Sequence, residues 1–168
     1  MSKGLIVCGY PGVGKSAVAG WSNCIDLESS FFRISDSDKN RWEIMYCRTA
    51  VDLAEQGYTV LTSTHESVIG YLKNMPDITH GFVKLIIFAP QKSMKEEWVE
   101  RLKKRYHDIP TEKNKRALDR AEHNWAGDLE MLNKSKVQVW YPETINYNFR
   151  HYISDMQAMY LDKKEKAV

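Results

Sequence analysis

The sequence predicts an α/β domain in which a five-stranded parallel sheet is covered by helices on both faces. Two observations predict it. Five short runs of strand type alternate with longer helix-forming segments, and that alternation builds parallel strands joined by helical crossovers. Between the first run and the first helix stands Gly9-Tyr10-Pro11-Gly12-Val13-Gly14-Lys15-Ser16, a glycine-rich strand-to-helix turn.

Each element follows from local chemistry. Leu5 to Cys8 is apolar enough for a buried strand, and Ser16 to Trp21 opens the first helix. Asn23 to Asp26 is a very short second strand. Asp38 is placed to cap a helix running to about Gln56, with Trp42, Met45, Ala50, Leu53 and Ala54 among its apolar positions and Gly57 as its stop. Tyr58 to Thr62 reads as the third strand, followed by a helix from Glu66 to about Asn74 that Pro76 ends. Phe82 to Ala89 (FVKLIIFA) is the clearest strand, being β-branched and mostly apolar. Helix resumes at Ser93 and runs to about His107, where Asp108-Ile109-Pro110 breaks it. Thr111 caps a further helix to about Asn133, with Glu112 in its first turn. Lys136 to Trp140 makes the fifth strand and Tyr147 to Leu161 the last helix; the tail Lys163-Lys164-Glu165-Lys166 is expected to fray.

Composition bounds the function. At 168 residues the chain is expected to be one domain spanning 1–168. A formal charge of +2 supplies no field for nucleic acid or an acidic membrane, so neither is expected as a partner. No stretch approaches a membrane span, and Met1-Ser2-Lys3-Gly4 does not read as a secretory leader. Cys8, Cys24 and Cys47 are odd in number and lack metal-type spacing, so they read as reduced thiols in a cytoplasmic chain.

The turn at Gly9–Ser16 fits G-x-x-x-x-G-K-[ST], a phosphate-binding loop. Glycines let successive backbone N–H groups converge on one anion, and a helix N-terminus adds partial positive charge. Lys15 brings a full charge to the outer phosphates, and Ser16 offers a hydroxyl to Mg²⁺. The expected ligand is ATP with Mg²⁺, gripped by Gly9 to Ser16 and by Ala17.

Ligands of parallel sheets bind at the C-terminal ends of the strands. Past strand two stands Asp26-Leu27-Glu28; past strand three stands Thr62-Ser63-Thr64-His65-Glu66, and the strand itself carries no aspartate. Asp26 is therefore the carboxylate expected to hold the Mg²⁺ shell or orient the attacking oxygen. Glu28 reads equally as an acceptor contact or a surface acid. His65 reads best as the cap of the next helix, with a bond to substrate or phosphate as the other possibility. Between Gln91 and Arg120 there are ten Lys or Arg against six Asp or Glu. Arg101 and Arg105 share one helix face there, and the break before Pro110 gives the layout of a movable lid over about 92–120. The bland reading of both is a solvated surface paired with Glu97 and Glu100.

In its order of elements and its phosphate loop the chain resembles phosphate-loop kinases of the nucleoside monophosphate kinase type, with shikimate and gluconate kinases as cousins. Asp26-x-Glu28 is similar to the D-x-D of shikimate-type kinases, and Arg101 and Arg105 to the lid arginines of the wider family. "CGYPGVGKS" followed by "CIDLESSFF" resembles small kinases encoded by phages. The resemblance implies a three-layer P-loop NTPase fold with strand order 2-3-1-4-5, and an acceptor-binding region over about 29–57. Arg33, Arg41 and Arg48 lie in that region, and arginine is the side chain that grips a phosphate bidentately. The chain departs from nucleotide kinases in its short first helix and its missing strand-three acid.

The leading expectation is an ATP- and Mg²⁺-dependent nucleoside (deoxynucleoside) monophosphate kinase, acting as a monomer or homodimer on a small-molecule acceptor. A small-metabolite hydroxyl kinase ranks second and a polynucleotide 5′-kinase third. A non-catalytic nucleotide switch ranks last, since Asn114-Lys115-Arg116-Ala117 lacks the acid that guanine recognition requires.

Overall fold

The computed structural model describes residues 1–33 and 41–163. Five strands form one parallel sheet in the order β2-β3-β1-β4-β5: β1 Gly4–Gly9, β2 Cys24–Asp26, β3 Thr59–Thr62, β4 Val83–Phe88 and β5 Val139–Trp140. Eight α-helices connect and flank them among the described residues: α1 Lys15–Val18, α2 Arg41–Glu55, α3 Glu66–Asn74, α4 Pro76–Thr79, α5 Lys95–Asp108, α6 Glu112–His123, α7 Trp125–Lys134 and α8 Phe149–Tyr160. This is the three-layer α/β architecture with the strand order expected.

β1 is central, and its apolar run is buried along its whole length. Leu5 pairs with Thr59 of β3 on one side and Lys84 of β4 on the other. Over β1 lies α2, which approaches so closely that a Cβ at Gly4 would stand 1.7 Å from the Ala54 carbonyl oxygen. Only glycine fits there. The C-terminal segment closes back on the start of the chain: Ser2 N–H donates to the Tyr160 carbonyl at 2.8 Å, and Asp162 N–H to that of Ser2 at 2.9 Å. No helix among the described residues is long and apolar enough to cross a membrane.

Several expected bounds shift for local reasons. The first helix ends at Val18 rather than Trp21, because Gly20, Ser22 and Asn23 take left-handed backbone angles that turn the chain into β2. The helix expected from Thr111 to Asn133 is two helices. Thr111 does cap α6, its hydroxyl accepting the Asn114 N–H at 3.2 Å, but Asn124 leaves helical geometry and starts α7. In α2 the buried face is Tyr46, Cys47, Ala50, Val51 and Ala54, whereas Met45 is exposed. The expected cap Asp38 and the tail beyond Lys163 lie outside the described residues.

Candidate functional site

The phosphate loop leaves the C-terminal end of β1 at the middle of the sheet. Gly12 and Gly14 have φ of 93° and 109°, so neither position accepts a side chain without strain. Lys15 folds back over the loop it follows. Its ammonium donates to the Gly9 carbonyl at 3.0 Å and, at 3.5 Å, to that of Thr62 at the end of β3. Two of its three protons are thus engaged, and one is left for a phosphate oxygen. Burial holds the Lys15 pKa below its usual value, opposed chiefly by the charge of Asp26. Ser16 is exposed at the loop's end, and α1 is a single turn, so its dipole adds less than a full helix would.

Asp26 ends β2 beside this lysine. Burial raises its pKa, with Lys15, Lys113 and Arg105 opposing the rise and Glu28 adding to it. A carboxylate with a raised pKa facing a cation cluster is suited to accepting a proton or orienting a metal's water shell. Glu28 does not stand free: it forms an ion pair with Lys113 in the first turn of α6, 85 residues away in sequence. Lys113 was not foreseen, and only its place among many lysines was visible in the sequence.

His65 begins α3, but its side chain caps nothing. Its Nε2 instead accepts a hydrogen bond from Arg33 at 2.7 Å, and the Arg33 guanidinium lies 4.3 Å above the Trp42 ring. The expectation that His65 is a side-chain cap is therefore corrected. Burial, then the charge of Arg33, push its pKa down to about 4, with Arg120 and Lys15 acting in the same sense. An unfolded histidine near 6.5 binds its proton first as pH falls, so the native state is fully favoured above pH 6.5 and loses that advantage between 6.5 and 4. We expect a loss on the order of 1–2 kcal/mol from pH 7 to pH 5 in urea melts, absent from His65→Asn. Equal pH dependence in the two proteins would contradict it.

The arginines separate. Arg101, expected to swing onto the transferred phosphate, is instead folded against the outside of the loop: it donates to the Gly12 carbonyl at 3.3 Å and to the Ile145 carbonyl, and lies over the Trp98 and Tyr147 rings. One turn further along α5, Arg105 is half-buried and its charge reaches Asp26. Arg48 lines a cavity of about 790 Å³ between α2 and α3, with Ile44, Val51, Tyr71 and Met75, and shares it with no phosphate-loop residue. Arg41 opens α2, and its side chain lies outside the described residues.

Arg120, not foreseen, makes a two-pronged pair with the buried Asp128, both contacts at 2.8 Å, and its charge reaches His65 and Tyr10. The pair spans the break at Asn124, where helix spacing no longer tells which residues meet. Tyr10 is buried against Trp98 and Trp125 rather than facing a ligand. Cys8 is buried and its thiol is pushed up to about 11, which suits a core residue and not a nucleophile. A second cavity, of about 540 Å³, flanks the loop between Gly12–Gly14, Ala17, Arg101 and Tyr147–Arg150.

An all-parallel sheet of order 2-3-1-4-5 with a glycine-rich loop off its central strand defines a phosphate-loop α/β domain. No protein-family model matches the chain, and no curated protein matches it. Among solved structures it is similar to a chain in the structure of the Pnkp1/Rnl/Hen1 RNA repair complex, with 21% identity and a TM-score of 0.49. That match covers 79% of this chain and 44% of the other, so this chain spans less than half of that protein's length.

Proposed function

We propose that the chain is an ATP- and Mg²⁺-dependent phosphotransferase acting on a nucleoside monophosphate. The observation that carries it is Lys15, tethered to the loop and to the end of β3, with Asp26 at the end of neighbouring β2 near enough for each charge to oppose the shift that burial imposes on the other. Phosphoryl transfer demands that pairing, a cation for the transferred group and a carboxylate for the attacking hydroxyl or the metal. Ser16 and Asp26 fit Mg²⁺, which takes one or two protein oxygens and completes its shell with phosphate and water. When bound, the ion neutralises charge on the triphosphate.

The chain's own residues supply the rest. Lys15 meets the outer phosphates with its free proton. The charges of Arg105 and Lys113 reach Asp26, which supports reading the end of α5 and the start of α6 as the lid that excludes water. Arg33, bonded to neutral His65 and lying over Trp42, presents a guanidinium suited to an acceptor phosphate.

The placement of Arg48 in the cavity between α2 and α3, with Glu28 held near Asp26, favours the second reading, a kinase of a small-metabolite hydroxyl. A panel of nucleoside monophosphates, nucleosides, small alcohols and 5′-hydroxyl oligonucleotides with Mg·ATP, reading ADP and product, separates the readings. With the preferred monophosphate, Arg33→Lys should raise the acceptor KM about tenfold while the ATP KM stays within twofold, since the fork is lost. A neutral alcohol as the best acceptor would exclude the monophosphate reading.

A further inference from the structure

The outer side of the phosphate loop is held at three successive carbonyls. The Trp98 indole N–H donates to Pro11 at 2.9 Å, Arg101 to Gly12 at 3.3 Å, and the Tyr147 hydroxyl to Val13 at 2.6 Å. Trp98 and Arg101 come from one face of α5, and Tyr147 from the segment between β5 and α8. The two rings lie nearly parallel, 8° apart with centroids 6.2 Å apart, and the Arg101 guanidinium is 4.7 Å and 5.3 Å from them. Arg101 also reaches the Ile145 carbonyl, and its Nη1 lies 3.5 Å from the Tyr147 hydroxyl. Trp98 is fully buried, and a Cβ at Gly12 would stand 3.1 Å from its nitrogen.

A trans peptide points its carbonyl and the following N–H in opposite directions. Holding the Pro11 and Val13 carbonyls outward therefore turns the N–H groups of Gly12 and Gly14 to the inner side. The plane between them is closed differently, with the Val13 N–H donating to the Tyr10 carbonyl at 3.1 Å. We infer that Trp98, Arg101 and Tyr147 are positioning residues that set the loop's inward donors before any phosphate arrives. The first half of α5 is then a fixed brace, and lid motion is confined to the chain beyond Arg101. This rests on reading Gly9–Ser16 as a triphosphate site.

The test compares ATP with inorganic tripolyphosphate, which carries the phosphates and no base. Tyr147→Phe keeps the ring and removes only the hydroxyl on Val13. It should weaken both ligands by the same factor, roughly five- to tenfold in calorimetry, leaving their affinity ratio unchanged. Arg101→Lys keeps the charge but loses the grip on two carbonyls, and should do likewise; it also serves should Tyr147→Phe fail to fold. Weakened ATP with unchanged tripolyphosphate would show contacts to the base and overturn the brace. A lowered melting temperature with both affinities unchanged would overturn it as well, as a purely structural role. If the wild-type protein binds neither ligand, the triphosphate reading falls and the brace with it. If it binds both and the variants match it, the brace alone falls.

Discussion

Lys15→Ala is expected to abolish phosphoryl transfer, with turnover falling on the order of a thousandfold or more. The lysine is fixed between the loop and the end of β3, tethered by the Gly9 and Thr62 carbonyls. Those tethers place its remaining proton without a search over rotamers, so charge building on the transferred group meets a donor already in position. Alanine leaves the backbone donors of the loop intact, and some nucleotide binding should persist. Single-turnover measurement of ADP with the best acceptor, together with nucleotide binding by calorimetry, separates the two effects. Turnover within tenfold of wild type would remove the enzyme reading altogether.

Asp26→Asn is the second large effect, a loss of at least about a hundredfold. Asparagine keeps size and hydrogen bonding but removes the charge that orients a metal's waters or accepts the acceptor's proton. Its environment gives this change a signature in pH. Burial raises the Asp26 pKa above the ordinary carboxylate value, so wild-type turnover should fall on the acid side as pH drops through that raised value. The asparagine variant should lose that acid limb along with its rate. A complex with Mg²⁺-nucleotide in which Asp26 lies far from both the metal and the γ-phosphate would refute the assignment.

Much of the site was legible because its chemistry is contiguous. The phosphate loop is one uninterrupted run, and the glycines, lysine and serine that bind an anion must stand at fixed offsets along it. The strand alternation carries the parallel sheet in the same way, since burial on both faces requires apolar runs whatever surrounds them. Asp26 follows from topology: a parallel sheet puts strand ends at the site, and β3 itself carries no aspartate.

The partnerships across the sheet were settled only by the tertiary structure. Arg101 and Arg105 share a helix face in sequence, yet one bonds the Gly12 carbonyl of the loop and the other makes no such bond, its charge reaching Asp26. Helix periodicity orders side chains around their own axis and carries no information on what lies one turn away on a neighbouring element. Glu28 with Lys113, Arg33 with His65, and Arg120 with Asp128 are charge and hydrogen-bond matches that many pairs of this composition could make. Burial selects among them. A buried polar group without a partner is costly, so packing of α5, α6 and α7 around the loop decides which partners meet. The sequence determined the loop's glycines, lysine and serine; the packing decided which side chains hold that loop.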